Sequence, residues 1–300
     1  MNMTTRIQVR GFALLCVLSI LCWWRSLIMT LALALTNDAY THILLILPLS
    51  AALIYTNAKY IDARAPRTNP APSPSLGSAL LALALVLGSY ARWGMGAEPS
   101  DVRLALSMFA LVIWWIASVL VCFGAGTFRS FLFPLCFLFL AVPIPDFALG
   151  WIVEFLQHQS AFAAQIIFRV AGVPALQDGI MLSIPGLDIE VARECSSIRS
   201  SLMLLITTMV LAHLFLHSWW RKALLIAASI PLSVAKNGLR IFTIAELGTR
   251  IDPGFLSGKL HHQGGIIFYG VAVIAMLALL WILRRTELQM PLQRPAPFLE

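Results

Sequence analysis

Residues 103–124 read RLALSMFALVIWWIASVLVCFG, and after Arg103 no position in this run carries a charge. Coiled as an α-helix at about 1.5 Å per residue, a run of this length matches a hydrocarbon layer of about 30 Å. Residues 264–283, GGIIFYGVAVIAMLALLWIL, repeat the pattern near the other end. Working outward from these two, eight stretches qualify: about 11–34, 42–57, 76–95, 103–124, 128–145, 197–217, 222–243 and 264–283. The second is short, and the fifth contains Pro134 and closes on VPIP at 142–145. The expected fold class is all-α: a polytopic membrane protein with about eight transmembrane helices.

Composition agrees. Hydrophobic residues make up 59% of the 300 positions and charged residues only 12%, against about 25% charged in an average soluble domain. That excludes an ordinary soluble enzyme, a disordered chain and a disulfide-stapled secreted domain. The net charge of +7, from 21 basic and 14 acidic residues, would hint at nucleic acid in a soluble protein. In a membrane protein it marks the loops that stay inside. Arg6 and Arg10, then Lys59, Arg64 and Arg67, then Arg129, Arg221 and Lys222, and finally Arg284 and Arg285 fall on alternate connections. This predicts both termini in the cytoplasm and no nucleic-acid partner. Four of the five cysteines (Cys16, Cys22, Cys122, Cys136) sit in apolar runs, where cysteine acts as a small hydrophobe.

The segment between the fifth and sixth spans breaks the pattern. In 147–171, FALGWIVEFLQHQSAFAAQIIFRVA, the polar residues Glu154, Gln157, His158, Gln165 and Arg169 recur at helical spacing. This predicts an amphipathic helix on the outer side, lying in the interface or tucked into the bundle. IMLSI (180–184) and LDIEVA (187–192), separated by Pro185-Gly186, predict a small β-hairpin that leads to Cys195. The expected organisation is one membrane domain: 11–145 as N-terminal helices, 146–196 as the outer helix and hairpin, 197–283 as further helices, and 284–300 as a cytoplasmic tail.

Three polar clusters interrupt the second half: Glu194-Cys195-Ser196-Ser197-Ile198-Arg199, Lys236-Asn237-Gly238-Leu239-Arg240 and Lys259-Leu260-His261-His262-Gln263. Arg240 follows Arg221 by 19 residues, roughly 28 Å of helix at 1.5 Å each. The seventh span therefore returns it to the outer boundary, the level at which Cys195 and His261 stand. Ionisable groups inside a membrane are costly, so their gathering in one layer points to a site. A thiolate attacks carbonyls; a histidine can take the thiol proton and return it to a leaving amine. An arginine stays charged, so it can stabilise thiolate, substrate carboxylate or oxyanion. Arg199, Asn237, His262 and Glu194 are candidates for support. No phosphate-loop or dinucleotide motif occurs, and the His261-His262 pair lacks carboxylates at ligand spacing. No cofactor and no metal are expected.

At these residues the chain resembles the exosortase/archaeosortase family. ECSSIRS matches its nucleophile motif at Cys195, NGLRI its arginine motif at Arg240, and HHQGGIIF its histidine motif at His261. Ser197 departs from the family's usual glycine. His261 is preferred over His262 because Gly265 follows it by four residues. The resemblance implies a cysteine transpeptidase of the bacterial inner membrane with its active site facing the periplasm. Its partners would be the C-terminal sorting-signal helices of exported proteins, of the PEP-CTERM type, plus the lipid bilayer and an amine acceptor or water. It also implies a link to exopolysaccharide and biofilm assembly. The competing reading is a non-enzymatic transporter or assembly subunit of polysaccharide export, holding an anionic lipid or sugar on the same cations.

Overall fold

A computed structural model describes residues 3–64, 74–96, 100–191, 198–254 and 265–289. Among the described residues, seven helices are long and apolar enough to cross a membrane. Each coincides with one predicted span. They are carried by α1 (Met3–Thr36), α2 (Ile43–Arg64), α3 (Pro74–Ser89, with a π-helical turn Tyr90–Gly94), α4 (Ser100–Ser130), and three later helices. The protein is all-α and polytopic, as its apolar periodicity predicts.

The expected span at 128–145 resolves differently. It becomes a short helix, α5 (Leu132–Phe137), and a 3₁₀ turn, Leu138–Ala141. Ten helical residues rise at most about 20 Å, too little to cross alone. This stretch is long and apolar enough to cross only together with α6 (Asp146–Val170), as one broken span bent by 95°. Upstream, α4 is interrupted at Gly124, whose φ of 81° a side chain would disfavour. The apolar run 103–124 ends at that break.

Contacts divide the chain into two compact units, Met1–Leu149 and Gly150–Glu300. The first is built from α1 to α5. Trp23, Leu104, Met108, Leu111 and Trp114 form a packed cluster, with the two indoles 5.7 Å apart. Several polar groups inside it find partners, because an unmet donor in hydrocarbon is expensive, although the buried Thr30 Oγ1 has none among the described residues. Trp114 Nε1 donates to the Leu15 carbonyl at 3.0 Å, Trp115 Nε1 to Ser19 Oγ at 2.9 Å, and Ser26 pairs with Ser107 at 2.7 Å. The hydroxyl of Tyr40 donates to the Ile144 carbonyl at 2.7 Å.

The second unit holds most of α6, a three-stranded antiparallel sheet, and the helices α7 (Ile198–Phe215), α8 (Trp219–Arg250) and α9 (Gly265–Gln289). The sheet runs β1 (Leu176–Asp178), β2 (Met181–Ile184), β3 (Leu187–Glu190). Its second hairpin is the predicted one. Ile184 pairs with Leu187, leaving Pro185-Gly186 as a two-residue turn with Gly186 at φ 82°. The first hairpin turns through Gly179-Ile180, with Gly179 at φ 61°. β1 is only LQD, too short and polar to stand out in the sequence, so the expected hairpin is a three-stranded meander.

α7, α8 and α9 close on Leu204, Leu216, Leu225, Ala272 and Met276. At one end, Glu287 of α9 caps the α7–α8 turn. Its carboxylate accepts from the His217 and Ser218 backbone N–H groups at 3.0 and 2.6 Å and lies 3.4 Å from Arg221. α6 is amphipathic, and the glutamines of its polar stripe face the protein while Glu154 and Arg169 are exposed. Gln157 and Gln165 are buried beside Ser160, Ala161 and Ala164, while Trp151, Phe155, Phe162 and Ile166 are exposed. In a membrane protein the apolar face belongs outside and the polar one within. The glutamines hold the sheet: Gln157 Nε2 donates to the Val191 carbonyl at 2.6 Å and Gln165 Nε2 to the Ala175 carbonyl at 3.2 Å.

Candidate active site

The run Lys236-Asn237-Gly238-Leu239-Arg240 lies in the middle of α8, in the second unit. Lys236, Asn237 and Arg240 are 5%, 1% and 9% exposed. Two cations four residues apart share one helix face, an arrangement that destabilises a helix by itself. Burying both raises the cost, so the surroundings must compensate.

Each residue of the run has a distinct contact. Asn237 Nδ2 donates to Ser160 Oγ of α6 at 3.2 Å. Gly238 is what lets the two helices meet there. A Cβ on it would stand 2.7 Å from Ala163 Cβ, 2.8 Å from the Ala164 nitrogen and 2.9 Å from the Ala163 carbonyl carbon. Two of those atoms are backbone and cannot step aside, which is why a residue that weakens helices sits in mid-helix. Gly238→Ala is expected to force α8 away from α6 and to cost about 1–3 kcal/mol, the usual price of overpacking. Denaturation by a titrated harsh detergent measures it. Gly270→Ala, where no atom lies within 4 Å of the added Cβ, is the matched control and should cost nothing.

Lys236 Nζ donates to Ser200 Oγ at 2.5 Å, joining α8 to the first turn of α7. Arg199, beside Ser200, points to the exposed side of that turn. Just beyond Arg240, Ile241 and Ala245 pack in one cluster with Phe168 of α6 and with Leu182, Ile184 and Val191 of the sheet region. The chain therefore meets α8 twice around residues 236–245. It does so once at Val191, fastened by Gln157, and once at Ser200, fastened by Lys236. α9 joins the same group through Tyr269, whose hydroxyl lies 3.4 Å from Thr207 of α7.

Of the residues expected in the site, Arg240 and Asn237 share this buried face of α8, and Arg199 stands in the adjoining turn of α7. Glu194, Cys195, His261 and His262 lie outside the described residues. The structure adds Lys236, Ser200, Ser160 and Gln157. Lys236 is readable in the sequence as a second cation one turn from Arg240. The two serines and the glutamine are not, because their roles depend on which helix faces which.

Against known families, a model described as transmembrane exosortase (Exosortase_EpsH) matches residues 23–281. The chain belongs to the transmembrane exosortase family. No curated protein and no solved structure matches it. Exosortases are membrane-embedded cysteine transpeptidases that act on sorting signals. This exosortase is accordingly a multi-pass sorting enzyme in general class, and its matched region takes in both the α8 cations and the segment 192–197.

Proposed function

We propose that this exosortase cleaves C-terminal sorting signals of exported proteins through a thioester on Cys195, assisted by Arg240 and His261. The observation that supports this most is the buried Lys236–Arg240 face of α8. The chain is fastened beside it, at Val191 and Ser200, on both sides of the short segment that carries Cys195. Buried cations next to a thiol favour its anionic form, and α8 holds no acidic residue in the turns around them.

The chemistry follows from the residue types. The Cys195 thiolate attacks the carbonyl carbon of a peptide bond at the junction with the signal helix, forming a C–S bond and an oxyanion. The Arg240 guanidinium donates to that oxyanion. The C–N bond breaks as a histidine returns its proton to the departing amine. The helix leaves and a thioester remains. An amine acceptor or water then attacks, the C–S bond breaks, and thiolate is restored. His261 is assigned the proton transfer, with His262 as the fallback, and Arg199, Asn237 and Glu194 line or order the site. Alternating basic loops support a bacterial inner-membrane location with the site facing the periplasm. A PEP-CTERM-like signal and a link to exopolysaccharide assembly complete the reading.

A thioester can be intercepted. With full-length enzyme in proteoliposomes and a reporter ending in a sorting signal, hydroxylamine is expected to divert the product to a hydroxamate, detected by mass. Exclusive formation of the free acid at saturating hydroxylamine would overturn the acyl-enzyme step.

A further inference from the structure

We propose that the first unit binds the anionic headgroup of a lipid that ends in an unsubstituted phosphate (a phosphomonoester, as distinct from the zwitterionic phosphodiester of phosphatidylcholine) in a cleft between α1, the α3 π-turn and the start of α4. The cleft has a volume of about 520 Å³ and is lined by three arginines, Arg25, Arg92 and Arg103. None belongs to the site on α8. Among the described residues, no carboxylate lies within 4.0 Å of any of the three guanidinium groups.

Three features argue for a phosphate rather than three independent surface charges. First, the arginines come from three separate elements and converge on one cavity, and guanidinium forks match phosphate oxygens two at a time. Second, two of them are steadied over indoles: Arg25 lies 5.5 Å from the Trp24 ring and Arg92 5.3 Å from the Trp93 ring. Such stacking orders a long side chain before the ligand arrives. Third, serines 26, 89, 100 and 107 add hydroxyls to the lining.

The remaining wall argues for a lipid as the source of the phosphate. Trp23, Met29, Leu85 and Leu104 make one side apolar. Trp23 reaches the cavity because Gly88 has no side chain; a Cβ there would stand 2.7 Å from its ring. The cavity lies where α3 ends and α4 begins, and helix ends are where headgroups meet a membrane protein; Arg25 lines it from within the 11–34 stretch. Trp93 at its edge is 79% exposed, so the cleft is reached from outside the unit. A cationic rim over an apolar wall suits an acyl chain with a phosphate at its end.

The test uses the full chain in nanodiscs holding equal amounts of phosphatidic acid and phosphatidylcholine, released into a native mass spectrometer. The wild type is expected to retain phosphatidic acid at least tenfold over phosphatidylcholine. The triple variant Arg25→Gln, Arg92→Gln, Arg103→Gln should lose that preference, and the corresponding lysine triple should keep part of it. Equal retention of the two lipids by the wild type, or unchanged preference in the glutamine triple, would sink the proposal. A third arm adds inorganic phosphate to wild type in uncharged detergent. Thermal stabilisation there equal to that from phosphatidic acid would assign the cleft to free phosphate and overturn the lipid.

Discussion

Cys195→Ala is expected to leave membrane insertion and stability unchanged while lowering trimming of a sorting-signal reporter by about 10³-fold or more. The loss should be this large because no step of the proposed reaction survives without the sulfur: attack, acyl transfer and release all use it. Cys195→Ser should fall nearly as far, since a hydroxyl is barely ionised beside cations that suffice for a thiol. The four remaining cysteines supply the internal control. Cys16, Cys22, Cys122 and Cys136 are free thiols, and all four lie in apolar helical runs of the first unit, so their joint replacement by alanine should retain activity. In that background, inactivation by a membrane-permeant maleimide should follow Cys195 alone. Continued trimming by the Cys195→Ala enzyme would end the thioester mechanism and favour a transporter or assembly role for the same cations.

Helix-scale features of the fold are legible in the sequence because lipid imposes one constraint at a time: a run is apolar and long enough, or it is not. Hence Ser100–Ser130 and Gly265–Gln289 stand where 103–124 and 264–283 predict them. Features that depend on contacts between elements are harder to read. The stretch 128–145 is as apolar as a span, yet Pro134 and the proline-rich end at 142–145 leave it ten helical residues. The glutamines of α6 announce an amphipathic helix, but a polar stripe has the same period whether it faces headgroups or a sheet. Only the bonds from Gln157 and Gln165 to the Val191 and Ala175 carbonyls distinguish the two. In the site, motif spacing marks Asn237 and Arg240, while Ser160 and Ser200 lie in ordinary helical surroundings. Nothing in a linear pattern says that Asn237 will meet one and Lys236 the other.

Arg240→Gln is expected to lower the turnover number by about 10²–10³-fold, the range seen when one donor to a developing oxyanion is removed. Two cations share this face, and the proposed mechanism gives them different work. Lys236 spends a hydrogen bond on Ser200 and so ties α7 to α8. Arg240 sits one turn further on, beside Ile241 of the cluster that contains Val191. A guanidinium there is worth most when the carbonyl oxygen gains charge, so the loss should appear in kcat with KM little changed. Arg240→Lys keeps the charge but loses the planar fork, and should recover part of the activity. Were Arg240 only a helix-packing residue, the glutamine variant would lose stability in step with activity, and lysine would restore neither. If it instead held a substrate carboxylate, KM would rise while kcat stayed near wild type. Steady-state kinetics on purified, reconstituted variants, read beside their unfolding midpoints, separate these outcomes. A fall confined to kcat is the result that ties Arg240 to the oxyanion.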